Sequence, residues 1–314
     1  MDNYSFQQIN DSNYDFTQTL YKKSFGINNS ISTIKRKYDT SVFGHKNIGY
    51  FAVSDDQKPA SYYGIFPMIM TINSVDIPVA QSGDTMTAPE HRNKGLFVQL
   101  AKKTYQLAEE QGIQLVFGFP NENSFPGFKK KLDWQFFGSM QKFSIHNSVL
   151  PFCELSSKFS ALASTYNKYS NFRLSKYDIA LTEENIAPFN KFKSQGYIKK
   201  DINFFRYKLS SPENHLIKIN NFTLLIKPKT HLIIGDVGFF DKSRTDDFTQ
   251  TLLRLSKILG CRSTIIIVSK NCWVFDYLKS IIDPKESLPI GFLPFNQNIS
   301  LDDISFTQAD YDTF

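Results

Sequence analysis

Cysteine is scarce in this chain. Its 314 residues include three, Cys153, Cys261 and Cys272. An odd, sparse count argues against a disulfide framework and fits a reducing compartment. Neither Cys-x-x-Cys nor His-Glu-x-x-His occurs, and the five histidines are spread along the chain, so no metal centre is expected. There is no Gly-x-Ser-x-Gly elbow, which removes one route to a covalent acyl-enzyme. No apolar run reaches eighteen residues, so no helix is expected to span a membrane. The opening MDNYSFQQIN is polar and does not read as a signal peptide. Together these absences lead us to expect a cytoplasmic protein.

The residues that are present describe a globular chain. Hydrophobic residues make up 41% and charged residues 21%, which excludes a disordered polyelectrolyte. The length suits two domains of ordinary size. Aromatic content is 15%, with 30 Phe and 15 Tyr, and implies thick cores. The net charge of +6 comes from scattered lysines and arginines, with knots at 129–131 and 199–200. No basic–aromatic repeat of nucleic-acid type accompanies them, so nucleic acid is not an expected partner. An anionic small molecule or a solvated basic face accounts for the charge equally well.

The most informative stretch is residues 81–112, QSGDTMTAPEHRNKGLFVQLAKKTYQLAEEQG. It reads as a strand, a tight basic turn and an amphipathic helix beginning near Lys94. Leu96, Phe97, Leu100, Thr104, Leu107 and Ala108 recur at the helical period, and Lys102, Lys103, Glu109 and Glu110 take the wet side. Gly112 is placed to stop the helix. The turn 91–95 leaves backbone N–H groups pointing one way at the positive end of a helix. That is an anion site, best suited to phosphate.

This segment resembles the acyl-CoA-binding motif of the GCN5-related N-acetyltransferase (GNAT) superfamily, Gln/Arg-x-x-Gly-x-Gly/Ala. Arg92 and Gly95 fill the first two fixed positions, and Phe97 stands where the pattern has Gly or Ala. Residues 133–138, DWQFFG, resemble the family's closing phrase, with Asp133 in the glycine's place and Trp134 in the aromatic's. The resemblance implies that Arg92, Asn93, Lys94, Gly95 and Leu96, with Phe97, hold the CoA diphosphate. It implies that Thr85, Met86 and Thr87 lend strand backbone to the pantetheine arm, with an amide near Met86 polarising the thioester carbonyl. Asn121 matches a cofactor-contacting Asn. Phe128 stands where many members carry a tyrosine that protonates the leaving thiolate, which leaves water, another tyrosine (Tyr62 or Tyr63 on a neighbouring strand) or unaided departure of the thiolate as the alternatives. Acetyl-CoA or another acyl-CoA is then the co-substrate, with no permanently bound cofactor.

The remaining pattern gives strands at 4–9, 47–54, 60–70, 76–79 and 113–119, helices at 15–25 and 32–38, and an outgoing strand at 136–146. A Ser-rich helical connector follows at 152–170. Beyond it we expect a helix at 182–194, strands at 204–209, 215–219, 222–226 and 231–235, helix 248–259, strand 263–268, helix 273–282 and strand 291–295. The order in 231–295 repeats that in 81–143. The expected fold class is α/β (α+β mixed sheet): tandem GNAT-like folds whose mixed sheets are flanked by helices. Residues 1–150 form the acyl-CoA-binding domain, 151–171 a helical connector and 172–314 a degenerate second copy. The turn at 238–247 places aspartates where phosphates would lie, so this copy is not expected to bind CoA.

Acyl transfer to an amine needs the reactants held together, a base for the amine and a donor for the developing oxyanion. Asp84, in the motif strand, is the best-placed carboxylate for the base, and Glu122 is second. Either residue type in these places also serves as a purely structural carboxylate. The expected function is an N-acyltransferase, most simply an N-acetyltransferase, acting on a primary amine of a small or medium acceptor by direct attack. Two alternatives stand beside it. One is an aminoacyl-tRNA-dependent aminoacyltransferase, although the chain lacks the long coiled-coil arm of that group. The other is a catalytically inactive acyl-CoA-binding or scaffold protein, which Phe97 and Phe128 favour. Whether the chain forms a homodimer is left open.

Overall fold

The structure, a computed structural model, describes residues 3–314. In chain order it runs β1 (Tyr4–Gln8), α1 (Tyr14–Phe25), α2 (Ile31–Tyr38), β2 (Ile48–Ser54), β3 (Pro59–Ile72), β4 (Val75–Thr87), α3 (Leu96–Glu110), β5 (Leu115–Gly118), α4 (Phe125–Lys131), β6 (Gln135–His146), α5 (Phe152–Lys158), α6 (Ser160–Leu174), α7 (Glu183–Ile186), β7 (Gly196–Ile198), α8 (Ile202–Leu209), β8 (His215–Ile219), β9 (Phe222–Pro228), β10 (Leu232–Val237), α9 (Thr245–Ile258), β11 (Ser263–Val268), α10 (Trp273–Lys279), β12 (Lys285–Pro294) and β13 (Ile304–Ser305). These elements form mixed sheets flanked by helices. The chain separates into two compact units. One is the chain up to Gly138 with Pro289–Asp302; the other is Ser139–Leu288 with Asp303–Phe314.

In the first unit, β1 to β4 form an antiparallel series. β5 is parallel to β4, as a helical crossover through α3 requires. Residues 291–294 then pair antiparallel with β5. Each sheet face carries its own core. Leu20, Tyr21, Ile34 and Tyr38 of α1 and α2 pack on Phe51, Tyr62, Phe66 and Met86. On the other face Leu96, Leu100 and Tyr105 of α3 and Phe128 of α4 pack on Tyr63, Val116 and Trp134. α1 ends where the sequence places Gly26, in a left-handed conformation with φ 69°.

In the second unit, β8, β9 and β10 are antiparallel. β10 and β11 are parallel across α9, and β11 pairs antiparallel with residues 141–146 of β6. β13 runs parallel to β7. Phe248, Leu252 and Leu255 of α9 bury against Leu224, Ile226, Ile234 and Ile266.

Three expectations need correction. The strand at 136–146 does not close the sheet of the first unit; residues 141–146 belong to the second, and residues 291–294 take the place beside β5. The boundary accordingly falls after Gly138 rather than at 150. Residues 204–209 form helix α8, not a strand. The Asp201 side chain caps it by accepting the Phe204 N–H at 2.9 Å, and burial of Phe204, Phe205 and Lys208 at helical spacing overrides aromatic β-propensity. The helix expected at 182–194 is limited to α7 and a single turn, Ala187–Asn190. Among the described residues no helix is long and apolar enough to cross a membrane, and no group of His, Cys, Asp or Glu is arranged to hold a metal ion.

Candidate active site

The basic turn is built from two left-handed residues in three positions. After a one-turn helix, Pro89–His91, the chain passes Arg92, Asn93 (φ 63°), Lys94 and Gly95 (φ 74°) and enters α3 at Leu96. The helix therefore starts two residues later than the periodicity indicates. Gly95 is the N-cap and supplies no side-chain acceptor. Gln99 donates back to the Gly95 carbonyl at 3.3 Å, so the N–H groups of the first turn precede the intrahelical ladder. Arg92, Asn93, Lys94 and Gly95 are exposed while Leu96 is buried. Lys94 lies 5.9 Å from the Tyr4 ring centroid, and the Tyr4 hydroxyl meets His91 Nδ1 at 2.9 Å. The helix dipole and the Arg92 and Lys94 charges all favour an anion here.

Beside this turn β4 outruns its parallel neighbour β5, which ends at Gly118, leaving an opening in the sheet beyond that point. The β4–β5 pairing ends at Gln81 and Phe117, yet β4 continues to Thr87 with β3 as its neighbour. Ala88 donates to the Ala60 carbonyl at 2.9 Å and the Ser61 hydroxyl to the Met86 carbonyl at 2.8 Å. In an antiparallel ladder a residue's N–H and C=O face the same neighbour. The Met86 amide is thus turned to β3, and the Thr87 amide, one residue on, faces the opening.

Between Gly83 and Met86 the register shifts by one residue against β3, a bulge that re-aims side chains. Asp84 lies in it with φ 32°, a strained value for a residue with a Cβ. Its side chain is 7% exposed. It accepts the Tyr21 hydroxyl at 2.5 Å, the Tyr38 hydroxyl at 2.7 Å and Lys37 Nζ at 2.7 Å. Burial first, and the Asp84 charge second, hold the phenols of Tyr21 and Tyr38 well above their ordinary pKa, so both remain donors. This cluster lies on the α1–α2 face of the sheet.

The α3–α4 face of the opening is aromatic. The Tyr63 hydroxyl meets Ser82 Oγ at 2.7 Å and the Tyr105 hydroxyl at 2.8 Å, and Trp134 Nε1 donates to the Tyr105 oxygen at 3.1 Å. Phe128 is buried 4.5 Å from the Trp134 ring. Phe97 packs edge-on against Phe128 at 5.2 Å and covers Gly127, where a Cβ would approach its ring to 2.7 Å. The bulky residue in the motif thus has a glycine opposite it.

The structure gathers Thr85, Met86, Thr87, Asp84 and the 92–97 turn along one strand–turn–helix. Asn121 and Glu122 lie on the exposed loop after β5. The Asn121 side-chain oxygen is engaged in that loop, accepting the N–H groups of Asn123 and Ser124 at 3.0 and 3.1 Å. Sequence reasoning missed Tyr21, Lys37, Tyr38 and Ser82. Tyr21 and Tyr38 occupy apolar helix positions, and no spacing links them to a strand residue 63 and 46 positions away.

The first unit is thus a mixed α/β unit in which β4 outruns its parallel neighbour β5 beside a helix start with no side-chain cap. Residues 5–137, less than half of the chain, match a family described as an acetyltransferase (GNAT) domain. Similar solved structures include a GCN5-related N-acetyltransferase from Kribbella flavida, with TM-score 0.58 and 14% identity over 93% of this chain and 71% of that one. A second, from Anabaena variabilis, gives TM-score 0.59 and 13% identity over 94% and 73%. A third, from Sphaerobacter thermophilus, gives 0.52 and 13% over 95% and 98%. At these identities the likeness is one of fold. No curated protein gives a significant match.

Proposed function

We propose that this protein moves an acyl group, most simply acetyl, from acyl-CoA to the primary amine of a small or medium acceptor by direct attack. The observation that carries the reading is the continuation of β4 past its last pair with β5, beside a helix start with no side-chain cap. The amides of the 92–97 turn, with Arg92 and Lys94, would hold the diphosphate. The Thr87 amide would polarise the thioester carbonyl. Asp84 faces α1 and α2, the side opposite α3, and would take the amine's proton either directly or through Tyr21, whose own proton then passes to Asp84. Glu122, exposed at the loop after β5, is the second choice of base. Tyr63, held at Ser82 below the opening, stands in for the proton donor that Phe128 cannot be.

We further read the second unit as a divergent copy of the same fold. Its antiparallel–antiparallel–parallel–antiparallel strand series supports this. Asp246 and Asp247 in the first turn of α9 oppose an anion. Three buried, unbridged cysteines support a cytoplasmic setting.

The test begins with thermal melts. A ligand of the folded state raises the midpoint, so acetyl-CoA should stabilise the wild type, and Lys94→Glu should diminish the effect. Thiol release should then be followed across a panel of amines. Asp84→Asn should lower turnover by about tenfold or more with acetyl-CoA affinity nearly unchanged. Equal loss of affinity would contradict its assignment as base. Stabilisation without turnover would favour the binding-only reading. No stabilisation and no turnover would end the proposal.

A further inference from the structure

Within the second unit β10 repeats a device of β4. It shifts register against β9 between Ile234 and Asp236. Its pairing with β11 ends at Ile234 while the strand runs on to Val237. Asp236 follows this bulge directly, as Asp84 lies in the other. Asp236 also lines a narrow cavity of about 10 Å³, room for one water-sized group. Phe192, Tyr197 and Trp273 form part of its wall, and Phe192 and Tyr197 stack at 3.5 Å with 8° between their planes. Lys200, Asp236 and Asp310 lie in the same lining and are all buried.

The charges in that lining do not balance. Asp310 is claimed by the backbone: one oxygen accepts the Thr307 N–H at 2.7 Å, closing a capping box on the turn Gln308–Asp310. Its other oxygen accepts Lys200 Nζ. Asp236 Oδ1 accepts the Val237 N–H at 2.8 Å, and its Oδ2 stands 3.3 Å from the same Lys200 Nζ. One ammonium therefore serves two carboxylates. The other groups around them do not supply the missing charge. Burial pushes the Cys272 thiol up to about 12, so it is neutral. Lys208 is not part of the lining and donates a hydrogen bond to the Tyr311 carbonyl at 2.6 Å; burial pushes it down to about 7 against the opposing pull of Asp310. Lys193, also in the lining, is exposed and paired with Asp276 at 2.7 Å. Asp236 itself is pushed up to about 6, chiefly by burial.

A carboxylate in surplus, a water-sized chamber and aromatic walls suit one kind of guest. A phosphate would meet two carboxylates. A quaternary ammonium exceeds the chamber. A primary ammonium is of the right size, completes the charge, and can lay its alkyl chain on the rings. We propose that this cavity binds the primary ammonium end of an alkyl amine, with Asp236 as its counter-ion. The site is separate from the acyl-CoA reading of the first unit and stands without it.

Calorimetric titration of the full chain with putrescine at pH 7.5, without acyl-CoA, tests this. Putrescine should bind, and n-butanol and tetramethylammonium should not. Asp236→Asn should weaken putrescine at least tenfold, and Asp56→Asn, at an exposed carboxylate of the first unit, should leave it unchanged. Affinity should fall as pH drops below about 6, where Asp236 takes up its proton. Undiminished binding by Asp236→Asn, or an equal loss in Asp56→Asn, would place the amine elsewhere and overturn the proposal; so would no binding by the wild type. If Asp236→Asn fails to fold, the comparison of putrescine with butanol and the pH profile of the wild type decide. The acetyl-CoA melt, run alongside, shows whether the first-unit reading survives independently.

Discussion

Asp84 combines a bulge, a positive φ and three donors on one carboxylate. Its place in the motif strand was legible in the sequence, because the strand and turn are local. Its partners were not, because tertiary packing alone brings α1 and α2 to it. Removing a counter-ion from a buried carboxylate strands the charge, so Lys37→Met should cost about 3 kcal/mol, read as a lower urea midpoint. A cost near zero would mean that the two tyrosines suffice. Lys208 gives a pH prediction of known sign. Burial lowers its pKa from 10.5 to about 7. The unfolded chain therefore binds more protons between those values, and stability rises as pH climbs through that window. The urea midpoint of the wild type should increase from pH 7 to pH 9.5 relative to Lys208→Met, which lacks the titrating group. A wild-type midpoint that runs parallel to the variant's would contradict the buried, depressed lysine.

Helices and strands with strong local periodicity were readable, and α3 is the clearest. Its apolar stripe, its stop at residue 112 and its basic entry all follow from side-chain chemistry. α8 was not readable, because its run of aromatics has the composition of a strand and its helical state rests on one cap and on the core that receives it. The Phe97 position in α3 lies between these cases. Its departure from the motif was visible, but the Gly127 that makes room for its ring was not. We expect the Phe97 amide, rather than its ring, to serve the diphosphate. Phe97→Ala should then lose about 2 kcal/mol of stability from the contact with Phe128 while acetyl-CoA affinity changes less than about threefold. A tenfold loss of affinity would make the ring itself a contact, and a large gain would make it an obstruction.

For the whole molecule, the sequence implies two successive repeats, whereas the chain assigns its strands otherwise. The edge of β5 is completed by residues 291–294, in register from Gly118 with Gly291 to Leu115 with Pro294, and Leu293 and Phe295 pack on the core that α3 covers. Periodicity cannot reveal this, since residues 141–146 (QKFSIH) and 291–294 (GFLP) are both short strands and neither carries a local signal that names its partner. The consequence is physical. A fragment of residues 1–150 would keep α3, β4 and β5 but leave one ladder edge of β5 unpaired and apolar side chains of that core uncovered, the condition that favours edge-to-edge aggregation. We expect the fragment to be insoluble or to lack the cooperative melt of the intact chain. A fusion that returns residues 289–302 through a flexible linker should recover a cooperative transition, measured by circular dichroism and size-exclusion chromatography. A fragment of residues 1–150 that folds as a stable monomer without that segment would show that the late strand is dispensable, and the first unit would then have to be redrawn as contiguous.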